Sequence, residues 1–475
     1  MAVEKKRGGS PIETFKTVLL TLLIISMLVL IVVYIGGTHI YQSMTEKGDK
    51  KVFDKLWSVQ SGQRSEGLDR ERLLPELIGY KFSGSGPMCS IADRESASEL
   101  YELISPCLSE LFGSGSYCEE IDASEGERLF AAALESGEFI YLRYHVPVLY
   151  QLVYAFASGK TSLSESDAAT FASDGGSGAY LSEVVIIPES GVAAHRFEAY
   201  AKDGDGRYFR FRRDESAVAS EFHISKLSDI ASKISTRSFG FSDGTRLAPM
   251  QLTVPDELEC DDIDFEFSAI PDGRSADVLR LFGYNPDKLK GYEDDGAGVY
   301  YDSHSRIRLE TGKIAYQAVD AVSGIGLSSL LGYSADDGFG LFDKLAAVDC
   351  LLTELSEISD RLVGGEAQLC LGNVYTENSL LIFEYFYTYE NIRISGEPAV
   401  RAAFGQDTLC AFELLSYSFE PTGSTTLCPS QEYVLEKLFD TGVLTEGQSV
   451  GSMRLVYEDG GAKWKAMLTE DAPVK

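Results

Sequence analysis

An uncharged run of 21 residues, 17–37, constrains this chain more than any other feature of its sequence. Leu, Ile, Val and Met dominate the run. At about 1.5 Å per residue, a helix of this length spans roughly 32 Å, enough for a hydrocarbon core of about 30 Å. A helix satisfies its own backbone hydrogen bonds in lipid, so the run predicts one transmembrane helix. The alternative is a buried core helix, but such helices rarely run this far without a polar face.

A cleaved signal peptide is a second alternative for the same run. Its length exceeds the roughly 7–15 apolar residues of a signal peptide, and no Ala-x-Ala-like cleavage site follows it. Lys16 borders the run, whereas the first cation beyond it is Lys47. This asymmetry favours a cytoplasmic N-terminus. No second apolar span follows, so we expect a single-pass protein of the cell membrane whose large domain is extracytoplasmic.

The composition is that of a folded, acidic protein. The chain has 475 residues, of which 44% are hydrophobic and 24% are charged. It is long enough for two or three domains beyond the predicted anchor. The net charge of −31 repels nucleic acid phosphates, so we expect no nucleic acid partner.

Eight cysteines are spread along the chain without any C-x-x-C motif, so zinc ribbons and thioredoxin-type sites are unsupported. An even number of cysteines outside the cell permits disulfides. Cys107 and Cys118 are the closest pair in sequence. Cys350 and Cys410 lie in apolar runs, which favours buried thiols. The pairing, if there is any, stays open at this point.

The apolar spacing alternates between short strand patterns and single helices. The strongest helix outside the predicted anchor is predicted over 341–362, and two more over 96–111 and 123–134, with Pro106 expected to kink or split the first of these two. Strand patterns include hairpins at 368–375 with 380–389 and at 453–457 with 463–468, a turn at 203–206, and a single strand over 408–419. Strands mixed with single helices predict an α+β fold with mainly antiparallel sheets and a few packed helices.

Shifts in composition and periodicity predict the organisation of the chain. The expected parts are a cytoplasmic tail (1–16), the transmembrane helix (17–37), a juxtamembrane stalk (38–60), an N-terminal extracytoplasmic α+β domain (61–240), a linker (241–262), a small α+β domain (263–335) and a C-terminal α+β domain (336–475).

Templates for catalysis and metal binding fail on this sequence. Gly159-Lys160-Thr161 resembles the end of a phosphate-binding loop, but Tyr154 stands where its first glycine is needed. There is no H-E-x-x-H or G-x-S-x-G motif, and no two of the five histidines lie within four residues of each other. Acidic clusters at 257–264 and 293–295 match no calcium loop, and we predict them to be a solvated linker or turn. No catalytic, cofactor-binding or metal-binding residue is therefore assigned.

Several segments together resemble the YycH family, which with its relative YycI comprises single-span regulators of the WalK sensor kinase. The segments that carry the resemblance are the anchor at 16–23, a strand at 139–146 closed by Pro147, the run Leu281-Phe282-Gly283-Tyr284-Asn285-Pro286 followed by 299–301 and 307–310, and 455–457 followed by Trp464. The eight cysteines and the segment 389–396 depart from the family pattern.

The resemblance implies a membrane-anchored, non-enzymatic regulator of a sensor histidine kinase that controls cell-wall metabolism. The implied partners are the membrane, the kinase and, as an open alternative, a paralogous single-pass regulator; no cofactor is implied. Thr17, Thr21 and Ser26 are candidates for close helix packing in the membrane. The competing hypothesis is an anchored extracytoplasmic binding protein or hydrolase that acts on wall polymer or peptide. A pocket that joins carboxylates, or a histidine with a perturbed pKa, would favour it.

Overall fold

The computed structural model describes residues 68–159, 167–171, 179–189, 196–214, 222, 224, 227, 229, 233–335, 338–444 and 448–468. The predicted tail, transmembrane helix and stalk (1–16, 17–37 and 38–60) lie outside these residues and stay predictions. Within the described residues, none of the helices combines the length and the apolar character that a membrane crossing requires. Gly67–Lys475 form one compact unit.

The described residues form strands β1–β26 and helices α1–α7. The helices are α1 (Arg94–Phe112), α2 (Ala123–Leu134), α3 (Tyr150–Ser158), α4 (Ser275–Leu281), α5 (Leu327–Leu331), α6 (Leu341–Ile358) and α7 (Gln431–Asp440), with 3-10 turns at Arg70–Leu73 and Asp360–Val363. The strands are β1 (Leu77–Lys81), β2 (Met88–Ser90), β3 (Ser116–Ile121), β4 (Phe139–Leu149), β5 (Thr170–Phe171), β6 (Tyr180–Pro188), β7 (Phe197–Lys202), β8 (Tyr208–Arg213), β9 (Arg237–Ser238), β10 (Gly240–Phe241), β11 (Leu252–Thr253), β12 (Leu258–Phe267), β13 (Lys290–Asp294), β14 (Ala297–Tyr301), β15 (Ser305–Glu310), β16 (Lys313–Ala318), β17 (Ile325–Gly326), β18 (Gly364–Gly365), β19 (Gln368–Glu377), β20 (Leu380–Tyr389), β21 (Ile392–Ile394), β22 (Val400–Phe404), β23 (Thr408–Leu415), β24 (Tyr417–Cys428), β25 (Val450–Glu458) and β26 (Gly461–Leu468).

The first large sheet has nine strands in the order β5-β3-β8-β7-β6-β4-β1-β2-β9. Its central strands β4 and β6 are buried along most of their length, because α1, α2 and α3 pack against this sheet. Apart from the parallel pair β3–β5, its ladders are antiparallel.

The second large sheet has twelve strands, and its main path runs β13-β14-β15-β16-β23-β22-β20-β21-β25-β26. The meander β14–β16 joins the later strands through the pair β16–β23, so one sheet continues across the predicted domain bound at 335/336. A separate ribbon consists of β12, β24 and the short strand β18. The predicted α+β class with mainly antiparallel sheets is confirmed.

The helices confirm the apolar periodicity and correct two details. Helix α2 has the predicted bounds, and Asp122 caps it by accepting a hydrogen bond from the Ser124 amide. Helix α6 ends at Ile358, because Ser359 is extended, whereas the prediction ran to 362. Helix α1 is one element that continues through Pro106, so the expected split is wrong. Buried residues on both sides of Pro106 hold the helix together despite the missing amide donor.

The strands depart from prediction where a proline or a serine breaks the ladder. β4 continues through Pro147 to Leu149, and its register with β6 shifts between Arg143 and Val148, since proline cannot donate to a ladder. The strand predicted over 408–419 is two strands, β23 and β24, separated by Ser416. Ser416 donates from Oγ to Leu362 O (2.8 Å), and the chain passes there from the twelve-stranded sheet to the ribbon.

All eight cysteines lie in the described residues, and none of them forms a disulfide, Cys107 and Cys118 included. Cys410 is buried as expected, whereas Cys350 is only half-buried.

Candidate functional site

A cavity of about 600 Å³ lies where the first turn of α1, strand β12 and the turn after β20 come together. Seven of its lining residues are acidic and one is basic. These charged residues are Glu71, Asp93, Arg94, Glu95, Glu99, Glu259, Asp261 and Glu390, and we call the site the acidic cavity. Such an excess of one charge in a concave site raises the local concentration of cations.

The first turn of α1 forms one wall of the acidic cavity. Asp93 caps the helix, since its Oδ1 accepts a hydrogen bond from the Ser96 amide (2.9 Å). Arg94 is the basic residue of the lining, and its guanidinium pairs with Glu71. Its backbone amide also donates to Glu390 Oε2 (3.2 Å), which ties the helix to the turn after β20.

Strand β12 forms the opposite wall of the acidic cavity. The cluster 257–264 is predicted to be a solvated linker or turn, but most of it lies in this paired strand. Leu258 and Cys260 are buried, whereas Glu259 and Asp261 are exposed and line the cavity. The alternation is a strand signal, but acidic residues at the exposed positions gave the segment the composition of a loop. In the second cluster, Glu293 and Asp294 lie in the exposed strand β13, and only Asp295 lies in the predicted turn, with φ 53°.

The turn between β20 and β21 carries Glu390 into the cavity. Glu390 (φ 46°) and Asn391 (φ 60°) both have left-handed backbone conformations, as a two-residue type I′ hairpin requires. The Asn391 amide donates from Nδ2 to Pro75 O (2.8 Å), so the turn is fixed to the segment before β1. Tyr457 closes this side by donating from its hydroxyl to Asp261 O (2.9 Å).

A buried ion network joins the two large sheets. Its central residue, Glu76, follows closely in sequence after Glu71, which lines the acidic cavity. Glu76 accepts from Arg143 Nη2 through Oε1 (3.0 Å) and from Arg454 Nη1 through Oε2 (2.8 Å). Arg454 Nη1 also donates to the carbonyls of Tyr144 (2.8 Å) and His145 (2.7 Å). Burial alone would raise the pKa of Glu76, but Arg143 and Arg454 hold this pKa below its usual value. We call Glu76, Arg143, Arg454, His145 and Asn391 the Glu76 network.

His145 belongs to this network as a neutral side chain. Its Nε2 lies 3.4 Å from Asn391 Oδ1, and its ring packs edge-on against Phe386 at 5.4 Å. Burial lowers the pKa of His145 to about 4, despite the opposing effect of Glu76. The perturbed pKa therefore has a structural cause, and His145 is not among the residues that line the acidic cavity.

The chemistry that these groups support is the binding of an organic cation. Within the described residues, no three His, Cys, Asp or Glu side chains converge as a metal ion would require. Carboxylates on both walls suit an amine or a guanidinium, because they can accept charge-assisted hydrogen bonds from its N–H groups. The Glu76 network positions one wall through the bond from Asn391 to Pro75. The predicted packing residues Thr17, Thr21 and Ser26 lie outside the described residues and stay predictions.

Comparisons with known proteins place the fold. No family model matches the chain, and no curated protein matches it in sequence. Among solved structures, the chain is similar to YycH from Bacillus subtilis, with a TM-score of 0.50 and 11% sequence identity. The match covers 84% of this chain and 96% of that one. The fold is therefore YycH-like, as the resemblance implied.

Proposed function

We propose that this protein is a membrane-anchored, non-enzymatic regulator of a sensor histidine kinase that controls cell-wall metabolism. The observation that carries the proposal is the YycH-like fold, which extends over 84% of the chain. The uncharged run 17–37 supports the anchor, and the charge asymmetry around it supports an extracytoplasmic position for the compact unit.

One helix beside the helices of a kinase acts by binding one of two kinase states more tightly than the other. Thr17, Thr21 and Ser26 are the candidate positions in the span for close packing against the kinase helices. Full-length protein, reconstituted with the kinase in proteoliposomes, should change the rate of kinase autophosphorylation. Replacing 17–37 by an unrelated span of equal length should abolish most of that change. An unchanged effect would exclude the native span from the interface.

The β12–β24 ribbon supports a second contact outside the membrane. Phe265 and Phe267 are 53% and 60% exposed, and the Phe267 ring packs at a tilt against Tyr417, with 5.1 Å between the ring centroids. Aromatic side chains that become buried usually carry most of the energy of a protein contact, whereas screened surface charge acts mainly on the association rate. Raising salt from about 0.05 to about 0.5 M should therefore slow association with the kinase and leave dissociation nearly unchanged. A dissociation rate that rises steeply with salt would contradict this description.

The proposed topology has its own test. Protease added to intact protoplasts should digest the compact unit and leave the anchor in the membrane. Full protection of the domain would place it on the cytoplasmic side and contradict the topology.

The acidic cavity favours a second candidate, an anchored binding protein for a cationic wall peptide. Calorimetric titration of the full chain with amine-bearing wall peptides separates the two functions. The second candidate is favoured by two results together. The peptide binds the wild-type protein but not the double variant Glu259→Gln/Asp261→Asn, and the wild-type protein has no effect on kinase autophosphorylation.

A further inference from the structure

Two cysteines lie side by side on the strands of the ribbon. β12 and β24 are antiparallel, with Leu258 opposite Cys428 and Cys260 opposite Thr426. Cys260 and Cys428 are therefore diagonal neighbours on one face, about 7–8 Å apart between Cα atoms and less between Cβ atoms. Both side chains are buried, at 5% and 1% exposure.

The two thiols already interact. A side-chain hydrogen bond between them raises the pKa of Cys260 and lowers the pKa of Cys428. Cys428 in turn donates from Sγ to Ala462 O (2.9 Å) on β26. The two side chains therefore lie on the same face of the ribbon and interact with each other, as bond formation needs.

The acidic cavity provides access to this pair. Cys260 lines the cavity, whereas Cys428 is buried and is not one of the lining residues. We propose that Cys260 and Cys428 form a redox-active dithiol, and that small cationic disulfides reach it through the acidic cavity and oxidise it to a Cys260–Cys428 disulfide. The proposal does not depend on the regulatory function.

The reaction is a double thiol–disulfide exchange in which the oxidant is a low-molecular-weight disulfide. Cys428, whose pKa is lowered, loses its proton first, and its thiolate accepts the Cys260 proton through the hydrogen bond between the two sulfurs. The deprotonated Cys260 sulfur attacks one sulfur of the oxidant, forms a mixed disulfide and releases the other half, which takes up a proton and leaves as a thiol. The Cys428 sulfur then attacks Cys260, forms the intramolecular bond and releases the second half as a thiol. The two thiol protons of the protein pass to the released thiols. The protein loses two electrons and the oxidant gains them.

The local backbone can accommodate the bond. Disulfides usually join Cα atoms about 4.4–6.8 Å apart, so the backbone at Cys260 and Cys428 must shift along the paired strands and shorten their diagonal by about 1 Å or more. The register of the two strands is already irregular between Asp261 and Ile263, next to Cys260. A strand with such an irregularity bends more readily than a regular ladder.

The test uses the full-length chain in detergent and three small disulfides of different charge. The reduced protein is treated with cystamine (cationic), 2-hydroxyethyl disulfide (neutral) or 3,3′-dithiodipropionate (anionic), and then alkylated, digested and analysed by mass spectrometry without reduction. The expected product is a peptide that links Cys260 to Cys428. Its formation should be at least about tenfold faster with cystamine than with the anionic reagent at low salt, and this ratio should fall as salt rises.

Matched variants separate the chemistry from folding. Cys260→Ser should abolish the linked peptide, whereas Cys410→Ser, which also removes a buried thiol, should leave it unchanged. Glu259→Gln/Asp261→Asn should slow cystamine severalfold and leave the neutral disulfide unaffected. The proposal is overturned if both cysteines stay reduced, if only mixed disulfides with the reagent form, or if the rates do not depend on reagent charge.

Discussion

Two acidic regions lie within a few residues of each other, and they use negative charge in opposite ways. Glu76 is 3% exposed and is neutralised by two guanidiniums, whereas the acidic cavity beginning at Glu71 has seven carboxylates and one guanidinium. In the Glu76 network the charge is buried and joins the two large sheets. In the cavity the charge faces solvent and is available to a ligand. Burial and pairing, and not the number of acids, decide whether a carboxylate stabilises the fold or binds a partner.

The largest effect is expected from removing the charge of the Glu76 network. Glu76→Gln removes the carboxylate that forms salt bridges with Arg143 and Arg454, and Arg143 is fully enclosed, so the free energy of unfolding should fall by about 3–5 kcal/mol. Glu99→Gln, in the cavity, is the matched control and should change it by less than about 0.5 kcal/mol. Urea unfolding of both variants measures the difference. Equal effects would mean that the two regions do not differ as described.

The second largest effect is expected from acid, which should lower the free energy of unfolding through the Glu76 network. His145 is neutral in the folded protein with a pKa of about 4, and an unfolded histidine titrates near 6.5. Between these values the unfolded state binds the extra proton, so stability should fall by about 3 kcal/mol as pH drops from about 6.5 to about 4. Glu76 adds to the loss at lower pH, as its lowered pKa is passed.

The variant His145→Gln tests the origin of this slope. The amide does not titrate, so the urea midpoint should vary less with pH between about 6.5 and about 4. The exposed His304→Gln serves as control and should keep the wild-type slope. A slope that survives in His145→Gln would assign it to other groups.

Substitutions in the turn between β20 and β21, which places Glu390 in the cavity and Asn391 in the network, should lower the free energy of unfolding by a smaller amount. Asn391→Ala loses the hydrogen bond to Pro75 O, and alanine tolerates a φ of 60° less well than asparagine does. The free energy of unfolding should therefore fall by about 2–3 kcal/mol. Asn391→Gly loses the same bond but accepts the left-handed conformation, so it should cost about 1 kcal/mol less. Thermal unfolding of the pair checks this order. Identical losses would show that the conformation contributes nothing.

The smallest change in the free energy of unfolding should come from a substitution within the acidic cavity, and this one should stabilise the protein. Glu95 and Glu99 are one turn apart on α1 and both line the cavity, so they repel each other. Glu99→Gln should stabilise the protein by about 0.2–0.5 kcal/mol at low salt, and the gain should disappear in about 0.5 M salt. A loss of stability would mean that the Glu99 carboxylate makes a favourable contact.

Local patterns in the sequence were sufficient for several elements. Helix α2 has the predicted bounds because its cap and apolar periodicity lie within 13 consecutive residues. The hairpin β19–β20 closes through Asn378 and Ser379, both with positive φ, directly between the two predicted strands. Such elements depend on neighbours in the chain, so the sequence predicts them without knowledge of the fold.

The sequence by itself determined the α+β class, these local helices and hairpins, the acidity, and the uncharged run that predicts an anchor. Only the tertiary structure decided the site. It placed the acids of β12 in a strand opposite β24, and it joined Glu76 to Arg454 across 378 residues of chain. It also brought Cys260 against Cys428. The physical reason is that burial, pairing and the resulting pKa values come from residues distant in sequence, which no local pattern records.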